Sequence, residues 1–135
     1  MVAGRGHRSS GRGSRGSAVV DFVLVLMVVL PLFLGIVHLA LVLHVRNTLS
    51  AAASAGARYA ATVDRPVGAG AELTRRQIGQ ALAARFARQV SARAVSLAGG
   101  PGVEVTVVAD VPPLGLWGPA VRLRVSGHAV EEVPP

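Results

Sequence analysis

No cysteine occurs in the chain, which excludes disulfide bridges and thiol catalysis. No lysine occurs either, so arginine carries every fixed positive side-chain charge. Aromatic residues make up only 4% of the chain, too few to stack bases along a nucleic-acid groove. Acids are also scarce, and the net charge is +7 with a pI of about 11.7. A balance of that sign raises nucleic acid as a partner, but the placement of the charges argues against it. Arg5, Arg8, Arg12 and Arg15 precede the first apolar run with no acid among them, and the remaining arginines, Arg46 to Arg124, lie in the part of the chain after that run, which holds six acids. No nucleic-acid partner is expected.

The motifs of catalysis and metal binding are missing as well. His7, His38, His44 and His128 have no ligand-like spacing, and the chain carries no H-E-x-x-H, P-loop or G-x-S-x-G. Asp64 and Asp110 are single acids beside turns. Gly11-x-Gly13-x-x-Gly16 matches a dinucleotide fingerprint in form only, because no Rossmann unit follows it. The expectation is a protein that is not an enzyme, with no cofactor, no metal and no small-molecule substrate.

What the chain does have is one long apolar run, Ser17 to Val45, with a single acid, Asp21, and neither Lys nor Arg. About 20 apolar residues in a helix already cross the ~30 Å hydrocarbon core. A cleaved secretory signal has an apolar region of roughly 7–15 residues. The run here is much longer, which leaves cleavage near Ala51–Ala53 as the lesser alternative to a retained span. Residues 1–16 are Gly, Ser and Arg, cannot offset their ordering entropy by burial, and are expected to be disordered. Their arginines favour a cytoplasmic N-terminus and an extracytoplasmic C-terminus. Pro31 predicts a kink or a local loosening of the span, although membrane helices also tolerate proline without either. Asp21 is costly in lipid, roughly 2.5–3.5 kcal/mol at the bilayer centre and less near an edge. It is either an assembly residue or an interfacial acid close to the arginines.

The expected fold is membrane α+β. Ala-rich residues 46–63 extend the transmembrane helix (17–45) into a rod ending near Thr62, because alanine is the best helix former. Small residues four apart, among them Ala52, Gly56 and Ala60, lie on one face and would let another helix approach closely. The same stretch also reads as plain Ala-rich helix without a specific partner. The cluster from Asp64 to Gly70 ends the rod, and residues 71–135 make a small outer domain. There the spacing of Ile78, Leu82, Phe86, Val90 and Ala94 predicts a second helix from Glu72 to Leu97. Alternation over 103–107 and 121–125 predicts a β-hairpin whose long loop, 111–119, holds the single Trp; the hairpin buries Val103, Val105, Val121 and Val125 against helix.

Several stretches together resemble the TadE-like family of Tad/Flp pilus-assembly pseudopilins. They are the basic leader R-G-S-R-G (12–16), S-A-V-V-D-F (17–22), L-P-L-F-L-G (30–35) and V-R-N-T-L-S-A-A-A-S-A-G-A-R-Y-A-A (45–61), with G-A-R-Y-A-A the most telling piece. The resemblance implies a prepilin-type signal cut between Gly16 and Ser17, with Asp21 as the fifth mature residue where the family usually has Glu. It implies a minor pseudopilin-like role in a Tad-type pilus or related secretion system of the bacterial cell membrane. The partners would be membrane lipid, other pseudopilins or pilus-assembly proteins, and a prepilin-type peptidase. A second reading is a single-pass anchor whose outer domain binds another envelope protein. A membrane-bound enzyme is a third reading, for which the chain offers no candidate site.

Overall fold

The computed structural model describes residues 13–62, 64–113 and 120–132, and the side chains of 13–15 are outside that description. Residues 1–12 of the leader expected to be disordered over 1–16, the Trp-bearing part of the 111–119 loop and the last three residues also fall outside it. The described residues form helix α1 (Gly13–Ala60), helix α2 (Gly68–Ala81), a 3-10 turn (Ala84–Ala87), and strands β1 (Gln89–Leu97), β2 (Gly100–Val111) and β3 (Val121–Val130). The helical conformation of α1 thus includes Gly13–Gly16 and runs through Pro31. The chain divides into two compact units, Met1–Val37 and His38–Pro135, and α1 contributes to both.

In the first unit every side chain described is exposed, including Phe22 at 67% and Met27 at 68%. A helix with apolar side chains on all sides and none of them buried matches a hydrocarbon environment better than water.

The second unit is an α+β domain. Its sheet is antiparallel with strand order β1-β2-β3. Strand alternation divides the residues between two faces. Val103, Val105, Val107, Ala109 and Val111 of β2, with Leu123 and Val125 of β3, are buried on the inner face. Val45, Leu49, Ala52, Ala53, Ala57 and Ala60 of α1, with Ile78 of α2, complete the core. Each fully buried Val, Leu or Ile contributes about 1.5–3 kcal/mol over its exposed state, so α1 residues 45–60 are as much a part of this domain as the sheet is. The expected hairpin is present, with Val103, Val105 and Val125 buried and Val121 packed at the margin.

The second helix is shorter than its apolar stripe predicts. It ends at Ala81, and the residues expected to continue it to Leu97 form the 3-10 turn and β1 instead. Leu82 leaves helical geometry (φ −125°, ψ −113°). From Gln89 on, Val90, Ala92 and Ala94 alternate with Ser91 and Arg93, and pairing with β2 satisfies the backbone groups along their shared edge. Gly100, at φ +122°, makes the tight β1–β2 turn in a region that disfavours side chains. Between the helices, Asp64 sits at φ 62°, the left-handed region that Asp tolerates better than most residues.

Candidate functional site

The sequence places its site residues in two groups, and the structure keeps them in different units. Gly16, Ser17 and Asp21 lie on exposed helix in the first unit. Ser17 and Asp21 are one helical turn apart, and side chains at that spacing are neighbours, about 5–6 Å between Cβ atoms. Around them the exposed apolar side chains of Val19, Val20, Phe22 and Val23 leave Asp21 the only ionisable group between Ser17 and Val37. One carboxylate on an otherwise apolar cylinder marks a single point on a surface that is otherwise the same all round.

Ala52, Gly56 and Ala60 are buried in the second unit, and the helix against their face is α2 of the same chain. A Cβ on Gly56 would strike Thr74 Oγ1 and come within 2.5 Å of the Gly70 carbonyl oxygen; one on Gly70 would come within 2.9 Å of Ala60 Cβ. Thr74 is fully buried, and its Oγ1 donates to Gly70 O at 2.8 Å and lies 3.2 Å from Ala52 O. The hydroxyl is satisfied by helix carbonyls, so its burial carries no orphaned donor. Sequence reading missed Gly70 and Thr74 as the partners of this face. The run Gly68-Ala69-Gly70-Ala71 was the available signal. A third close approach was not anticipated: a Cβ on Gly127 of β3 would meet Ala53 C at 2.5 Å and the backbone of Ser54.

The outer face of the sheet is polar and cross-linked by charge. Arg93 and Glu104 pair directly across β1 and β2, with Arg93 Nε donating to Glu104 Oε2 at 2.7 Å, and His128 Nε2 lies 3.6 Å from Glu104 Oε1. The Arg93 hydrogen bond holds the Glu104 carboxyl below the usual carboxylate range. Burial opposes this, and the Arg93 charge, a hydrogen bond from Thr106 and the nearby His128 reinforce it. Asp110 pairs with Arg122 at 3.0 Å in the same manner and raises its pKa further. Among the described residues no cluster of three or more His, Cys, Asp or Glu could hold a metal.

The family model described as TadE-like protein matches residues 16–58. That segment is TadE-like. It opens on the glycine of the expected cut, takes in the whole exposed helix with Asp21, and closes two residues beyond Gly56. No curated protein and no solved structure matches the chain. The TadE-like segment links the chain to Tad pilus-related systems. Its helix is the only one among the described residues long and apolar enough to cross a membrane, and with the family match it marks a single-pass membrane protein.

Proposed function

We propose that the chain is a minor pseudopilin-like component in the assembly of a Tad-type pilus or a related secretion system, and that it acts without enzymatic activity. The observation that carries this reading is the extent of the TadE-like match, which includes the candidate cut, the span and its acid in one stretch. Four arginines ahead of the span keep the N-terminus cytoplasmic and send the α+β domain across the membrane. A prepilin-type peptidase hydrolyses the Gly16–Ser17 bond and removes the basic leader. The new α-amine of Ser17 then carries positive charge at the depth of Asp21. The outer partners are other pseudopilins or pilus-assembly proteins.

Mass spectrometry of the membrane-extracted protein, from cells with and without a prepilin-type peptidase, tests the reading. Ser17 is the expected first residue when the peptidase is present. An N-terminus still carrying residues 1–16 in those cells would reduce the chain to a plain membrane anchor. A C-terminal reporter active only in the cytoplasm would overturn the orientation.

A further inference from the structure

The arginines of the outer domain are not spread evenly over it. Two sets of contacts fix its direction. Thr74 of α2 lies on Ala52, and Gly70 lies on Gly56 and Ala60, so α2 runs antiparallel to α1. Ala81 is seven residues beyond Thr74, about 10 Å further along, which brings it level with Val45. Gly127 of β3 lies on Ala53 and Ser54, and the Glu132 N–H donates to Ala61 O at 3.0 Å, so β3 runs in the same direction as α1. Val121 is then about 20 Å back from Gly127, at the end of the domain where α1 enters. Strand pairing brings Asp110, Val111 and Gln89 to that end too, through Val121, Arg122 and Val108.

Arg46, Arg85, Arg88, Arg122 and Arg124 all belong to this entry end, and all are exposed. The one acid there is Asp110, paired with Arg122, and the sequence from 112 to 120 contains no acid. At the opposite end, around Ala60–Thr62, the acids Asp64, Glu131 and Glu132 outnumber the two arginines beside them, Arg58 and Arg65. Among the described residues Arg46, Arg85, Arg88 and Arg124 make no ion pair.

We infer that this end of the domain is a docking surface for anionic phospholipid headgroups. His38 is bonded to Val37, so the end built on residues 38–46 is the one nearest the bilayer when residues 17–37 cross it. Arginine offers a planar donor fork that matches phosphate oxygens, and within a Debye length of about 8–10 Å its attraction to an anionic surface is not screened. The far end is beyond that range, so the arginines at the entry end alone hold the domain against the membrane. The inference rests on the membrane-spanning reading of residues 17–37 and not on entry into a pilus.

The absence of native cysteine permits single-site labelling of the full chain. Ala84 is exposed at the arginine end and Glu132 at the opposite end. A fluorophore on Ala84→Cys or Glu132→Cys is read in vesicles carrying a headgroup-attached quencher. The vesicles are phosphatidylcholine alone, or phosphatidylcholine with roughly one third phosphatidylglycerol. Quenching at position 84 should be at least about twofold greater in the anionic vesicles and should fall to the neutral value between about 0.05 and 0.5 M salt, while position 132 is unaffected. The quadruple variant R46Q/R85Q/R88Q/R124Q in anionic vesicles should match the parent chain in neutral ones. Equal quenching at position 84 in both vesicle types at low salt overturns the inference, as does a difference that survives the quadruple substitution. Flotation with the vesicles is scored separately: a chain that fails to float in either composition overturns the span itself.

Discussion

Gly56 of α1 and Gly70 of α2 meet backbone to backbone, each lying where the other's Cβ would have to go. Ordinarily alanine is worth about 0.8–1.0 kcal/mol over glycine inside a helix. At position 56 that gain is outweighed, because the new methyl meets a backbone carbonyl and the buried Thr74 hydroxyl. Overpacking of this kind costs about 1–3 kcal/mol or more. Gly56→Ala should therefore lower the denaturation midpoint of the outer domain. Gly79→Ala, on the exposed side of α2 with nothing within 4 Å, should raise the midpoint, through a gain in stability of about 0.5–1 kcal/mol. Chemical denaturation of the solubilised chain separates the two signs.

The two faces of β2 make a second contrast. Val105 is fully buried against the helices, whereas Thr106 is on the polar face and its hydroxyl donates to Glu104 at 3.3 Å. Val105→Asp puts an unpaired carboxylate in the core and should abolish folding of the domain. Thr106→Asp adds a charge beside Glu104 and should cost about 1 kcal/mol or less. Limited proteolysis reads both, and equal sensitivity of the two variants would contradict the strand register.

Glu104 gives the domain a pH dependence of known sign. Its folded-state pKa lies below its unfolded value, chiefly because Arg93 donates to its carboxylate. The unfolded state therefore binds the proton more readily, and stability rises with pH between the two values. The contribution is complete above the unfolded value of about 4.3, and it is lost as pH falls towards and past the folded one. Arg93→Gln should flatten this acid limb of the stability profile and leave stability at pH 9 falling by only about 1 kcal/mol, since Arg93 is itself largely exposed.

Asp21 has the opposite relation to its surroundings, being surrounded by exposed apolar side chains. A carboxylate there is costly for the lone protomer in lipid, and the proposed assembly role requires a neighbour's amine to offset that cost. Asp21→Ala should still insert and still lose residues 1–16, but should not co-purify with partner pseudopilins, whereas Asp21→Glu should retain them. Association of the alanine variant at the parent level would leave Asp21 a solvated interfacial residue and remove its assembly role.

Reading these features from sequence worked where one pattern dominated a stretch. The span was legible because apolar side chains fill every position around the helix, and the register of β2 and β3 because valine alternates with polar residues. β1 was not, since Ile78, Leu82, Phe86, Val90 and Ala94 share a four-residue spacing by coincidence across three different elements. Two local signals opposed the helix: the alternation from Gln89 to Arg93, and the Gly99-Gly100 pair that suits a hairpin turn. The small-residue face of α1 was legible as a surface for close approach. Its occupant was not, because glycine and alanine record how near a neighbour comes and nothing of which neighbour it is.

The contact of Gly127 with Ala53 and Ser54 joins residues about 70 positions apart, and loop closure over such a distance is slow to form. In the proposed orientation the N-terminus stays in the cytoplasm and the chain crosses from residue 38 onward, so the helix seat is delivered first and the strand that fills it almost last. Until β3 arrives, one edge of β2 is unpaired and the Ala53–Ala57 side of α1 faces water. A domain delivered in that order would complete its fold only once β3 has crossed. A chain interrupted after Val111 would present an open strand edge to the proteases and chaperones of the far side.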